Sequence, residues 1–481
     1  MKMRATWMAV PCAAMAITLG SAFASYAAVG WAQEGESWVY YNADGSKAAD
    51  VFKKSGNNWF YLDSNGEQVV NSVVEVDDNY YYLNSAGAMV TNEWRSVENE
   101  DGKGSDDEPD EWWYYFQPNG KAVKKSDSSN SVKFVTLNTS TGPAKFTFDD
   151  EGHMLFGWIN ESGEMQTDDD AWKNSLYYCG ENGDGRMSSG WKYIEVVNSE
   201  DDHRDGDGYY FWFGSNGKKT TDSDSKKING RKYRFDENGV AYFEWFNDPG
   251  TASGSTASSS SAIKYYNKEE ECWLSTGWFK AVPDETADPE GYEDGEEVWY
   301  YAQSDGELVK SQIKKINGQS YGFDEFGKML HGLYKIEYNT DKKTFLSAEE
   351  IEDEADLPEE NSENVYIYYF GDSPKEGAMK TGTSTLEVDG EKYYYSFQKS
   401  GSRKGAGTDG IDDDCIYIEG RRLEAEADSK YQVVSYNDKD YLIGVNGKLA
   451  KNKKNIKDAD DIYYKTDKNG VVLESSEEKL K

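Results

Sequence analysis

Hydrophobic positions along this chain come in short bursts rather than long stripes. A run of aromatic residues is followed by a polar stretch ending in glycine and then a brief apolar return. Trp38-Val39-Tyr40-Tyr41 precedes Gly45, Trp59-Phe60-Tyr61-Leu62 precedes Gly66, and Tyr80-Tyr81-Tyr82-Leu83 precedes Gly87. The bursts are too short for an amphipathic helix, and their aromatic, β-favouring residues predict strands. Turn signals such as Asn65-Gly66 and Asn238-Gly239 close each burst into a hairpin. The first turn glycines recur every 21 residues, the mark of a repeat architecture. One hairpin alone is marginal in water, so the copies must stack on one another. The predicted fold is all-β: tandem β-hairpin repeats stacked as a β-solenoid.

Copies continue to Tyr463-Tyr464 with Gly470, and no gap between them is long enough for a catalytic domain. Where the spacing stretches, the extra residues are acidic, as from Glu98 to Glu111 and from Asp284 to Glu297. They read as solvated loop insertions, since no complete twelve-residue calcium loop occurs among them. A Gly/Ser/Thr-rich tract suggests a division into an amino-terminal array at 28–249, a flexible insertion at 250–262 and a carboxy-terminal array at 263–481.

The first 27 residues read as a secretory signal peptide. Lys2 and Arg4 precede an apolar stretch from Ala5 to Leu19, and small residues follow, with cleavage expected after Ala27 or Ala24. The apolar run is shorter than the roughly 20 residues a membrane span needs. Cys179, Cys272 and Cys415 remain in the mature chain, too far apart for a disulfide framework or a metal site.

Composition narrows the function classes. A formal charge of −37 opposes nucleic-acid binding, which needs a basic surface. Aromatics make up 15% of the residues, enough for thin modules cored by stacked rings. His153, His203 and His331 fall in separate repeats without a nucleophile motif, and no phosphate loop is present. No catalytic role, cofactor or metal is expected.

A second motif overlays the hairpins. Gly152-His153-Met154-Leu155-Phe156-Gly157-Trp158 and Gly185-Arg186-Met187-Ser188-Ser189-Gly190-Trp191 share the template G-x-M-x-x-G-W, while Gly87 to Trp94 relaxes it and Ser275-Thr276-Gly277-Trp278 keeps its end. With the recurrent W-Y-Y-L strands, this resembles the cell-wall-binding repeats of Gram-positive surface proteins, the choline-binding and glucan-binding types. The resemblance covers nearly the whole mature chain. It implies a secreted or surface protein held noncovalently on the wall of a Gram-positive bacterium. Its partners would be wall polysaccharide, teichoic-acid choline or α-glucan, bound in aromatic pockets between consecutive hairpins.

Carried over onto this chain, the resemblance nominates Trp158, Trp191 and Trp278 as G-W tryptophans. Trp38, Trp59, Trp113 and Trp299 match the strand position, with Tyr41, Tyr61, Tyr114 and Tyr300 beside them, and Met154 and Met187 lie on the turn return. Aromatic faces attract quaternary ammonium groups and also stack on sugars. For any single ring, packing between hairpins is the competing role. The template erodes later in the chain: Gly332 is followed by Leu333 and Gly382 by Thr383, and no Trp occurs after Trp299. That erosion favours a different reading, a surface scaffold or adhesin whose repeats are structural and whose partner is a protein.

Overall fold

The computed structural model describes residues 29–481 except 101, 104–107, 127–129, 198–207, 248–262, 341–342, 359–362 and 373. The expected signal peptide and the Gly/Ser/Thr-rich tract lie outside the described residues. Internal contacts divide the chain into two compact units, Met1–Thr220 and Thr221–Lys481.

The first unit runs through two-stranded antiparallel hairpins, beginning with Gly30–Glu34 against Ser37–Tyr41, Val51–Ser55 against Asn58–Leu62, and Ser72–Val76 against Asn79–Leu83. The second starts the same way and then widens. Its later sheets include a four-stranded one around Gly332–Tyr338 and a five-stranded one around Glu391–Phe397.

Two local devices build each repeat. An Asp or Asn side chain opens the turn: Asp63 Oδ1 accepts from the Asn65 and Glu67 backbone N–H groups, and Asn84 Oδ1 from those of Ala86 and Ala88. The Asx side chain thus supplies the acceptor that a tight turn lacks. Glycine then takes the positive φ, 75° at Gly66 and 73° at Gly87.

The residue two places after the turn glycine joins one repeat to the preceding one. Its backbone N–H donates to a carbonyl on the second strand of the hairpin before: Gln68 to Trp38 (2.8 Å), Met89 to Trp59 (2.7 Å), Met154 to Trp113 (2.7 Å) and Met329 to Trp299 (2.8 Å). Its side chain lies where a Cβ on the following repeat's turn glycine would stand. Met89 Cε would be 2.5 Å from a Cβ on Gly120, Met154 Sδ 2.3 Å from one on Gly185, and Met329 Cε 2.4 Å from one on Gly377. The turn glycines are therefore required twice, for their dihedral and for the neighbour seated on them. In both units consecutive hairpins stack by this ladder, as a β-solenoid.

The core is correspondingly thin. It is a line of residues from the ends of the second strands, including Leu62, Leu83, Phe116, Phe213 and Phe323, each fully buried.

The acidic insertions enter mainly at hairpin tips, opposite the ladder. Glu98 pairs with Glu111 and Ala281 with Val298, so each pair closes the strands at a hairpin tip. Trp245–Asn247 pairs with Ile263–Tyr265 on either side of the residues expected to form a flexible insertion, 250–262, which lie outside the described residues. Among the described residues no helix is long and apolar enough to cross a membrane, and no group of three or more His, Cys, Asp or Glu side chains is arranged to hold a metal ion. Cys179, Cys272 and Cys415 are buried free thiols, and burial pushes the Cys179 thiol up to about 12.

Candidate functional site

In the second unit, the hairpin Gly277–Ala281/Val298–Ala302 presents two tryptophans toward the hairpin that follows it, Gln312–Ile316/Gln319–Phe323. The Trp278 and Trp299 rings stand 6.1 Å apart at 85°. Tyr321, from the following hairpin, meets Trp278 edge-on at 4.8 Å and 72°. Met329 closes the base, because the ladder bond from its N–H to the Trp299 carbonyl fixes its position. These four side chains, with Lys375 and Glu376, line a cavity of about 320 Å³. The Glu376 carboxylate accepts a hydrogen bond from Trp299 Nε1 (3.2 Å), bringing a negative charge to the rim of the aromatic walls. Such a cage suits a quaternary ammonium: ring faces attract the cation, and the carboxylate adds Coulombic attraction where water is partly excluded.

The first unit repeats the arrangement one residue type at a time. Trp94 pairs with Tyr115 and Ser96 with Trp113, the same register in which Trp278 pairs with Tyr301 and Lys280 with Trp299. Trp94 meets Phe146 of the next hairpin at 4.8 Å, and Met154 takes the place of Met329. Trp94, Trp113, Phe146 and Met154, with Asp184 and Arg186, line a cavity of about 240 Å³. Here Trp113 Nε1 is buried without a hydrogen-bond partner, whereas its counterpart Trp299 has Glu376.

A third interface of the same construction is closed. Trp158 stands where Trp94 and Trp278 stand, and Phe211 of the next hairpin meets it at 5.3 Å and 73°. The ladder residue is Lys219, whose N–H donates to the Leu176 carbonyl (2.7 Å). Leu176 thus occupies the position of Trp113 and Trp299. Lys219 is buried, and its ammonium lies 5.3 Å from the Trp158 ring and 5.7 Å from Phe211 while donating to the Trp172 carbonyl. The chain's own cation fills this cage. Trp158, expected to face a ligand, is 8% exposed and belongs to the core.

The other nominated residues scatter. Tyr61, Tyr114 and Tyr300 are buried core rings, and burial raises the pKa of each hydroxyl. Tyr300 packs against Trp245 at 5.0 Å instead of facing the cavity beside Trp299. Tyr41 donates to Glu34. Trp38 and Trp59 sit on second strands at the position of Trp299, and Trp59 is 42% exposed with Lys54 over its ring. Met187 bonds through its N–H to Lys145, where the open cages have a tryptophan. Trp191 stands edge-on to Trp212 at 5.3 Å. Of the histidines, His153 stacks on Trp112 and bonds Asp149, and His331 contacts Asp372; His203 lies outside the described residues.

The open cages therefore bring together Trp113, Met154, Trp278 and Trp299 from the nominated set. Trp94, Phe146, Tyr321 and Met329 complete them. Two signals in the sequence could have found these: Met329 follows Gly327 by two residues, and Trp94 follows the turn at Gly87. The misleading feature is that G-x-M-x-x-G-W looks like one site. In three dimensions its Met belongs to the cage of the preceding hairpin and its Trp to the interface that follows.

Two family models match parts of the chain. The family model described as a choline-binding repeat matches residues 28–72 and 52–94, and one described as a cell wall binding repeat matches 226–241. No curated protein matches the chain. Among solved structures, choline binding protein F from Streptococcus pneumoniae, in the presence of a peptidoglycan analogue, is 19% identical with a TM-score of 0.40. That alignment covers 74% of this chain and 98% of that one. The modular autolysin LytC from the same species, in complex with a synthetic peptidoglycan ligand, is 17% identical with a TM-score of 0.34, over 65% and 56% of the two chains. The choline binding domain of Spr1274, also from that species, is 33% identical with a TM-score of 0.15, over 20% and 94%. The hairpins within residues 28–94 and 226–241 thus match models of choline-binding and cell wall binding repeats.

Proposed function

We propose that this is a non-catalytic protein of the cell envelope, exported and held noncovalently on the wall, which captures choline-type quaternary ammonium groups in aromatic cages between hairpins. The observation that carries this reading is the recurrence of one cage in both units: Trp94, Trp113, Phe146 and Met154 in the first, and Trp278, Trp299, Tyr321 and Met329 in the second. A core interface needs neither two open tryptophans nor a cavity, since cavities cost stability. The Glu376 carboxylate favours a cation over a neutral sugar at the second cage.

The test is retention of the full chain on choline resin, on purified wall and on α-glucan. Retention on resin and wall, eluted by free choline, is expected, and W278A/W299A together with W94A/W113A should abolish it. Retention on α-glucan alone would replace the ammonium by a sugar. The competing reading, a structural scaffold for a protein partner, draws support from the Trp158 interface, which Lys219 fills from within. Failure on all three supports would favour it.

A further inference from the structure

One hairpin reverses the charge of the chain. Between Ser223 and Phe235 lie five cations, Lys226, Lys227, Arg231, Lys232 and Arg234, against the single carboxylate of Asp224, in a protein of net charge −37. Arg234 pairs with Asp224 at 2.8 Å. Among the described residues no ion pair joins a carboxylate to the other four. Lys227 stands directly opposite Lys232 in the strand register, an arrangement that destabilises a hairpin unless an anion offsets it.

Beside this hairpin lies a cavity of about 350 Å³ lined by Arg231, Lys232, Trp273, Thr276, Trp278 and Ser304, among others. Its cations are held in place. The Arg231 guanidinium carbon lies 3.4 Å from the centre of the Trp273 ring, and Lys232 Nζ donates to the Ser304 carbonyl at 3.4 Å. The guanidinium also hydrogen-bonds the Tyr233 hydroxyl, and the N–H groups not engaged there can bind the oxygens of an anion. Thr276 and Ser304 add hydroxyl donors at the same cavity. Such a set can serve more than the two oxygens of a carboxylate, and the space exceeds that of a bare phosphate ion.

We propose that this cavity is a binding site for a phosphate ester, with Arg231 and Lys232 holding the phosphoryl oxygens and Thr276 and Ser304 turned to the alcohol portion. Trp278 lines both this cavity and the ammonium cage beside it. A ligand carrying a phosphate and a quaternary ammonium could therefore engage both, but the phosphate site stands on its own residues and does not depend on the choline reading.

The experiment is titration of the full chain with inorganic phosphate, glycerol phosphate and acetate, followed calorimetrically and by the indole NMR signals, with choline titrated in parallel. Wild type should bind glycerol phosphate, more tightly than acetate. R231Q/K232Q should weaken that binding by about tenfold or more at low salt, with an unchanged choline isotherm. R231K should fall between, because it keeps charge without the planar fork. K226Q/K227Q, which alters the same hairpin outside the cavity, should change it far less. No binding of either phosphate to wild type, equal binding of acetate, or equal losses in the two double variants would overturn the proposal. Loss of choline binding with phosphate binding intact would instead sink the choline reading and leave this one standing.

Discussion

The open cage at Trp278 and the closed interface at Trp158 share a backbone plan and differ at two side chains. Both have a first-strand tryptophan, an aromatic ring from the next hairpin and a ladder residue at the base. At the open cage the second-strand residue is Trp299 and the ladder residue Met329; at the closed one they are Leu176 and Lys219. Methionine leaves room and a polarisable base, whereas lysine extends an ammonium into the space a ligand cation would take. Whether a repeat interface binds or merely packs is thus decided by the residue two places after a turn glycine and by its carbonyl partner. Ring count alone does not decide it, since the closed interface has Trp172 nearby as well.

If that is correct, the two interfaces should be interconvertible. M329K should produce the largest change, removing choline-type binding at the second cage by tenfold or more, about 1.4 kcal/mol at least, while the melting temperature holds. The check is calorimetry on a chain already carrying W94A/W113A, which isolates that cage. Undiminished binding would show that the base is not where the cation sits.

The reverse change should be nearly as large. K219A removes a buried ammonium from two ring faces and leaves a void, at a cost of about 2 kcal/mol. Added tetramethylammonium should restore part of the lost stability in thermal melts, and should do little for wild type beyond its effect through the open cages. No rescue would mean that Lys219 is a packing residue rather than an internal occupant.

Sequence carried the repeat itself. Aromatic bursts, Asx-Gly turns and the 21-residue spacing specify hairpins locally, because turn chemistry and strand period act over few residues. Placement of the site was less legible. Cage membership is a relation between repeats, and the ladder assigns Met154 to Trp113, 41 residues back, rather than to Trp158 within its own motif. Tyr61, Tyr114 and Tyr300 take core positions for a related reason: in a run such as Trp-Tyr-Tyr, alternation sends neighbouring rings to opposite faces. Which face is covered depends on the next hairpin. The role of Lys219 is hidden because a Lys-Lys pair after a turn reads as solvated, and only three-dimensional stacking brings Trp158 over the second of them.

A further difference between the units concerns protons. Asp324 opens the turn that leads to Met329, accepting from the Phe326 and Lys328 backbone N–H groups, and burial raises its carboxyl to about 7 despite the opposing effect of Lys328. Lys310 nearby is lowered by burial to about 8. A carboxyl whose folded pKa exceeds its unfolded value near 4 lends stability at low pH that is lost as pH rises through 7. The lowered lysine costs stability below about 8, and this cost is relieved toward 10.5, its ordinary value. Unfolding of the second unit should therefore be easier at pH 7.5 than at pH 5. D324N, which keeps the Oδ1 acceptor for both turn N–H groups, should flatten that decline, as denaturant melts across pH 4–8 would reveal. A decline of equal slope in D324N would place its origin elsewhere.

The smallest expected effect is at the rim of the second cage. E376Q removes the rim carboxylate while leaving an oxygen for Trp299 Nε1, and should weaken choline binding about threefold at low salt and less at high salt. The Trp94 cage, whose lining likewise pairs a carboxylate with a cation, Asp184 with Arg186, should show a similar salt dependence.

The ladder of turn glycines also sets where such a chain can change length. Each step couples a glycine to a side chain of the repeat before it, so one residue added between Gly327 and Met329 would throw the Met329 side chain off the Trp278–Trp299 walls and off Gly377 together. The opposite end of each hairpin carries no such glycine step, although its residues still bond neighbours, as Asp288 does to Lys328 at 2.8 Å. Loops as different as Gly35-Glu36 and the fourteen-residue-long acidic stretch from Asp284 to Glu297 cap strands of the same kind. The architecture therefore has a metered edge and an unmetered one. Foreign peptides grafted at the tips, at Gly102 or Tyr292 for example, should be carried without loss of fold or of either cage, and the acidic loops already there are natural instances of such cargo.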